Sequence, residues 1–445
     1  MLTPCLPQKS KPFFSILLAT FGTVFTSFTS AEDWPQFRGP KGNGIVDQIN
    51  HPLEWDSKTN IAWQHSVPGG GLSSPIVIGQ RIFVTSAVGA DLPFSFAKGV
   101  SNMRPKRPAG PVKFHVSCLS LANGEKLWEK TLSEERPKHP IHSSNSFATE
   151  SPCSDGKKLF VYFAAIGKLY ALDFDGKLIW QKDLGSFPTG NGFGTGSSIT
   201  CGQGRVFVQC DNDRASFVVA LDAATGAQKW QSKRSSRTSW ATPMLWNNNN
   251  RLELITCGSG FVTSYDPNTG ETYWKLTGLG SSFSASPAAD AERIYFGTSG
   301  PLSSGPLVAV GANLSGEMAY DKDTDNNRIW FKKRSGPGMP SPIASNGCVY
   351  IPSRNVLTCY DAKNGEVHYK QRIPLKSMAA SLWGDKQHFL MMDESGKTLV
   401  IRSGPKYELV QTNQIDDLFW STPAVAGDAL VLRGVKNLYC VRKPK

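Results

Sequence analysis

Several absences narrow the chain before any motif does. Nine cysteines in 445 residues are too few for a disulfide scaffold, and no two of them are adjacent. There is no Cys-x-x-Cys-His run to attach haem, no Gly-x-Ser-x-Gly elbow, no phosphate loop and no His-Glu-x-x-His helix. Fused haem, hydrolase, nucleotide and zincin chemistries therefore lack a starting residue. Charged side chains make up only 19% beside 40% hydrophobic and 11% aromatic, which excludes a disordered, collagen-like or coiled-coil chain.

What is present begins with an export pattern. Lys9 and Lys11 precede an uncharged stretch from Phe13 to Ala31 with an apolar centre, and Thr29-Ser30-Ala31 offers small residues before Glu32. Residues 1–31 are expected to be a cleaved signal peptide, the other reading being a retained anchor. Taking its two lysines from 48 basic residues against 36 acidic leaves a mature charge of +10. An exported, periplasmic or extracellular chain of that charge is expected to meet an acidic partner and not nucleic acid. Residues 32–59 are expected to form an N-terminal extension packing on the domain that follows.

Residues 60–445 repeat. A small-residue pair, Pro, an apolar run, a tight turn and a basic-then-aromatic strand recur at Pro75, Pro152, Pro243, Pro287, Pro342 and Pro423, with Ile199 and Ser381 in the Pro position of two degenerate copies. Eight anchors imply eight units. Each unit continues to an Asp/Asn-Gly turn and a strand ending in an aromatic, as in Asp222 to Gly226 to Trp230 and Asp266 to Gly270 to Trp274; Trp128, Trp180, Trp330 and Tyr369 hold the same place. Such turns suit hairpins, where Gly accepts positive φ and Asp bonds the local backbone. The expected fold is all-β: an eight-bladed β-propeller of four-stranded antiparallel blades. Its ring would be closed by the N-terminal strand Asn60 to Gln64 pairing in the last blade with Leu438 to Val441. The other arrangement is an open solenoid.

These Asp-x-x-Thr-Gly-x-x-x-Trp turns and Ser-x-Pro strand starts resemble pyrroloquinoline-quinone-type (PQQ-like) propeller repeats over roughly residues 60–441. The opening Trp34-Pro35-Gln36-Phe37-Arg38-Gly39-Pro40 resembles exported bacterial members of that group. The resemblance implies one of two roles: a quinoprotein dehydrogenase using PQQ with calcium, or a non-enzymatic BamB-like scaffold of outer-membrane protein assembly. The dehydrogenase branch implies adjacent cysteines against the quinone, which this chain lacks.

No metal site is expected. Asp321, Asp323, Asp325 and Asn326 alternate like a calcium loop, but Asn326 replaces the turn glycine and Lys332 the bidentate Glu. His139 and His142 have no companion ligands for zinc. No catalytic residue is expected either. Long connections at 85–113, 297–306, 131–149, 183–196, 231–241 and 331–340 fall on one face, where binding surfaces concentrate. Just before the inner strands stand Leu72, Phe147, Phe193, Trp240, Phe283, Met339, Met378 and Trp420, expected to encircle the mouth of the channel. His142, Asn145, Asn191 and Arg237 are their polar neighbours. Basic residues Lys98, Arg104, Lys106, Arg107, Lys113, Lys233, Arg234, Lys332, Lys333 and Arg334 fall on the same face. The expected role is a monomeric, non-catalytic scaffold for a protein or envelope component, acidic or glycan in nature, with a PQQ-dependent dehydrogenase and a carbohydrate-binding propeller as the alternatives. Cys348 and Cys359 are the pair placed closely enough to test for a bridge.

Overall fold

The computed structural model describes residues 1–2, 33–89, 105–280, 282–299, 304–321 and 329–443. Residues 3–31 of the expected signal segment, the Asp323 to Asn326 loop, Lys98 and Arg104 lie outside the described residues.

From Ala31 onward the chain forms one unit built of eight blades; the first seven run from inner to outer strand in chain order, and the eighth takes its outer strand from the N-terminal side of the chain. Inner strands are short, from Ile76–Ile78 in blade one and Cys153–Ser154 in blade two to Ala424–Ala426 in blade eight. The middle strands carry the core: Leu159–Phe163 and Phe217–Asp222 are buried almost throughout. Both faces of each sheet meet a neighbouring blade, so these runs are continuously apolar instead of alternating. Phe160, Val206 and Val219 join blades two and three, and Tyr295, Val349 and Tyr360 join five and six. Closure is as expected: Ile61–Ser66 pairs antiparallel with Asn437–Val441, placing both ends of the propeller in blade eight.

The outer tryptophans do not touch the glycine of their own repeat. Trp180 Nε1 donates to the Ala223 carbonyl of the next blade at 3.2 Å, and its ring lies against Gly226. The same contact links Trp63 to Gly124, Trp128 to Gly176, Trp230 to Gly270 and Trp330 to Gly365. The repeat signature is thus a contact between successive blades. Gly365 has φ +71°, and a Cβ there would sit 2.6 Å from Trp330 Cε3. Gly204 has φ +68° with open space around it. Gly365→Ala is expected to cost about 2–4 kcal/mol in chemical denaturation and Gly204→Ala about 1 kcal/mol, the difference being the displaced indole. Equal losses would show that the indole contact carries no weight.

Four details differ from expectation. Blade four has a fifth strand, Gly316–Ala319, which arises after blade five's third strand and pairs parallel with Thr272–Thr277. That cover buries Trp274, whose Nε1 donates to Glu253 Oε2 at 2.7 Å and not to the next blade. The blade-one connection is 89–111 because its strands run on to Val88 and resume at Val112, and the blade-five connection shrinks to 300–303. Cys348 and Cys359 are free thiols, as are all eight cysteines among the described residues. Among those residues no helix is long and apolar enough to cross a membrane.

Candidate binding cup

The inner strands of a propeller leave backbone groups facing the axis, and those groups need partners. Here the N-terminal segment supplies them. Trp34 exchanges backbone hydrogen bonds with Val77 of blade one at 2.9 and 3.0 Å. Pro35 O accepts from Ser154 N of blade two at 2.8 Å, and Gln36 Oε1 from Cys201 N of blade three at 3.3 Å. Arg38 donates to Pro287 O of blade five at 2.6 Å and to Pro342 O of blade six. Gly44 O and Val46 N bond Gly384 of blade seven, both at 2.9 Å. Residues expected to pack on the propeller therefore form a strap within its channel, following the blades in order.

Above the strap lies a ring of hydroxyls. Ser74 N donates to Ser151 Oγ and Ser151 N to Ser198 Oγ, each at 2.9 Å. The relay continues through Thr242, Ser286, Ser341 and Ser381 to Thr422 at 2.9–3.1 Å. Every blade contributes one Ser or Thr, immediately before the Pro position. The ring corrects the repeat alignment: Ser381 is a ring hydroxyl, so Leu382 and not Ser381 takes the Pro position of blade seven.

All eight hydroxyls line a cavity of about 790 Å³ whose wall includes Phe37 of the strap. Of the residues expected at its mouth, Leu72, Phe193, Trp240, Met339, Trp420, Asn145, Asn191 and Arg237 line it. Phe147, Phe283 and Met378 do not; they are buried in the cores between blades. His142 is also buried, its ring 5.1 Å from that of Phe193 and its Nδ1 bonded to Ser144 Oγ at 2.7 Å. For Phe283 and Met378 the reason is register. Leu72, Trp240, Met339 and Trp420 stand two residues before their ring hydroxyl and share its side of an extended chain, whereas Phe283 and Met378 stand three before and face away. Size alone selected the wrong residues. The same register in the other four blades brings Thr149, Gly196, Ser284 and Ala379 to the wall, none of them large enough to stand out in the sequence.

The wall carries little charge. Asp213 and Arg237 pair at 3.5 Å, with the Arg237 side chain 79% exposed. Burial tends to raise Asp213, but hydrogen bonds from Thr238 and the Arg237 charge outweigh it and hold the carboxyl below its usual range. Behind Thr149 and Ser151 the Glu150 carboxyl has no donor in good geometry; burial pushes it up to about 7, against Thr195 and nearby backbone amides that draw it down. Trp240 is held rigidly, its Nε1 donating to Gly194 O at 2.8 Å and its ring edge-on to Phe193. Arg234, expected on the basic face, is buried in a bidentate pair with Asp211 at 2.8 and 3.2 Å. Among the described residues no group of three His, Cys, Asp or Glu could hold a metal, and His139 instead bonds Ser186 O at 3.3 Å.

This propeller can be placed among known proteins. The family described as outer membrane protein assembly factor BamB matches residues 112–371 and 258–441. The chain belongs to this BamB family. A BamB from Moranella endobia (strain PCIT) is 26% identical over 223 residues, 45% of this chain and 53% of that protein. A polyvinylalcohol dehydrogenase from a Pseudomonas species is 23% identical over 326 residues, 54% of this chain and 51% of that one. The chain spans about half the length of these curated relatives. The quinohemoprotein alcohol dehydrogenase of Comamonas testosteroni superposes with a TM-score of 0.63 at 12% identity, covering 93% of this chain and 82% of that one. At that identity the likeness shows the fold alone, so function in this BamB-family chain rests on its own cup.

Proposed function

We propose that the chain is an exported, non-catalytic propeller that holds a protein or cell-envelope component at its cup. The observation that carries this is the cup itself: a concave site on a rigid ring, lined by hydroxyls and aromatics, whose one hydroxyl–imidazole contact among the described residues, Ser144 Oγ to the buried His142 at 2.7 Å, uses the same Nδ1 that accepts the Ser144 backbone N–H. Membership of the BamB family supports a scaffold role.

The dehydrogenase alternative asks more of the residues than they provide. Pyrroloquinoline quinone is a tricarboxylate used with calcium. The wall's one cation among the described residues, Arg237, is turned toward solvent and engaged by Asp213, and adjacent cysteines are absent from the sequence. These residues do not fit the quinone.

The test joins both readings. Immobilised protein is expected to retain a component of a solubilised envelope fraction, and Trp240→Ala with Trp420→Ala to cut retention at least tenfold, about 1.4 kcal/mol. With quinone, calcium and a panel of alcohols, dye reduction is expected at the buffer rate. Quinone-dependent turnover would overturn the non-catalytic reading.

A further inference from the structure

The chemistry of the cup wall selects a ligand class. Each of seven ring hydroxyls, from Ser151 to Thr422, spends one oxygen lone pair on the backbone N–H of the preceding blade. Among the described residues none of the eight ring O–H groups donates to a protein acceptor, although each ring residue is more than nine-tenths buried. The hydroxyls line one shared cavity, and an O–H can rotate to suit what enters. Further hydroxyls stand around them, at Ser144, Thr149, Thr195, Ser282 and Ser284.

That wall suits some ligands poorly. Among the described residues an anion would find hydroxyl donors but one cation, Arg237, which Asp213 already engages at 3.5 Å. A metal ion or an amine needs a carboxylate, and Asp213 is taken up by Thr238 and Arg237. A purely apolar ligand would strip water from the hydroxyls without replacing its hydrogen bonds. What remains is an uncharged molecule with many groups that both donate and accept, and with apolar faces for the indoles.

The aromatic groups are placed for such faces. Trp240 belongs to blade four and Trp420 to blade eight, opposite positions in a ring of eight. Between them on one side, the equivalent positions are Leu72, Thr149 and Gly196, of which the last two are small. We infer that the cup takes an uncharged polyhydroxylated ligand, the end of a neutral oligosaccharide, with sugar edges on the hydroxyl ring and ring faces against Trp240 and Trp420. This rests on the cup being the ligand site of a non-catalytic propeller, as proposed above, and names what it binds.

The test is calorimetric titration of the purified protein with neutral trisaccharides of glucose and of N-acetylglucosamine, a trimer of galacturonic acid, and a trialanine peptide. At least one neutral trisaccharide is expected to bind saturably, with affinity unchanged between about 0.05 and 0.5 M salt because no charge pair forms. Trp240→Ala and Trp420→Ala should each weaken it at least tenfold, and Trp240→Phe should restore most of the loss, with thermal melts confirming that each variant folds. If the neutral sugars stay silent while the acidic trimer or the peptide binds in a Trp240-dependent way, the ligand class is wrong and the cup remains the site. If nothing titrates and envelope retention survives the double tryptophan substitution, the cup reading falls with it.

Discussion

Trp34→Ala is expected to lower the unfolding free energy by about 3–5 kcal/mol, the cost of emptying a buried indole site. Trp34 is fully buried in the cluster shared by blades seven, eight and one, where Val77, Trp383 and Leu430 surround it, and Gly39 lies so close to its ring that a Cβ would come within 2.7 Å. The effect should also travel. The strap bonds blade one through Trp34 and Val77 and blade seven through Gly44 and Gly384, so loosening its start releases both ends if it behaves as one cooperative unit. Hydrogen exchange at the Val77 and Gly384 amides should therefore accelerate together. Faster exchange at Val77 with Gly384 unchanged would mean that the strap is a row of separate contacts. Arg38→Met should cost less than its bonds to Pro287, Asn43 and Pro342 suggest. Among the described residues no carboxylate pairs with the buried guanidinium, and burial pulls it down to about 9, so its removal relieves an uncompensated charge.

The propeller was legible because its information is local. Each Pro anchor, Asp-x-x-Thr-Gly turn and terminal Trp lies within one unit and recurs at a spacing near the length of a blade. Even so, the partner of each Trp was not legible: Trp180 and Gly226 are in different repeats, and the signature reads as though they shared one. The strap was less legible still. Residues 34–46 have no periodicity, and their partners include backbone groups more than 300 residues away, as with Arg38 and Pro342 or Gly44 and Gly384. No side-chain pattern marks a backbone carbonyl that needs a donor.

The cup was half legible for a different reason. Large apolar residues before each inner strand stand out, but for six of them the side they face depends on whether they precede the ring hydroxyl by two residues or three, and Phe147 and Phe193, four and five residues before, fall outside that rule. In six repeats that hydroxyl is the Ser or Thr before Pro, a pattern that marks a strand start and gives no sign of a wall residue. Ser381, assigned to the Pro position, concealed the register in the blade that contains Met378. Thr149, Gly196, Ser284 and Ala379, which complete the wall, have nothing in type or size to distinguish them.

Between about pH 4.5 and 6.5 the folded protein should be nearly indifferent to acid, and Glu150→Gln should remove that indifference. Glu150 is buried and raised from 4.5 to about 7, so folding favours its protonated form: its penalty is absent below pH 4.5 and fully present above about 7. His51 runs the other way. Burial lowers it from 6.5 to about 4, against the hydrogen bond from Nδ1 to Pro52 O at 2.7 Å and the charge of Asp385, so folding favours the neutral ring and stability is lost as pH falls through that range. Each displacement is worth about 3 kcal/mol when complete, and the two slopes oppose one another where they overlap. In Glu150→Gln the His51 slope loses its main opponent, and the smaller displacements of His115, lowered by burial, and Glu394, raised by burial, oppose each other in the same range. The variant should gain about 3 kcal/mol over the natural chain at pH 8, keep little of that gain at pH 4.5, and grow steadily more stable as pH rises between them, read by urea denaturation at fixed ionic strength. A gain that is the same at pH 5 and pH 8 would show that the Glu150 carboxyl titrates in its ordinary range, and that the wall behind Thr149 and Ser151 carries a charge at neutral pH.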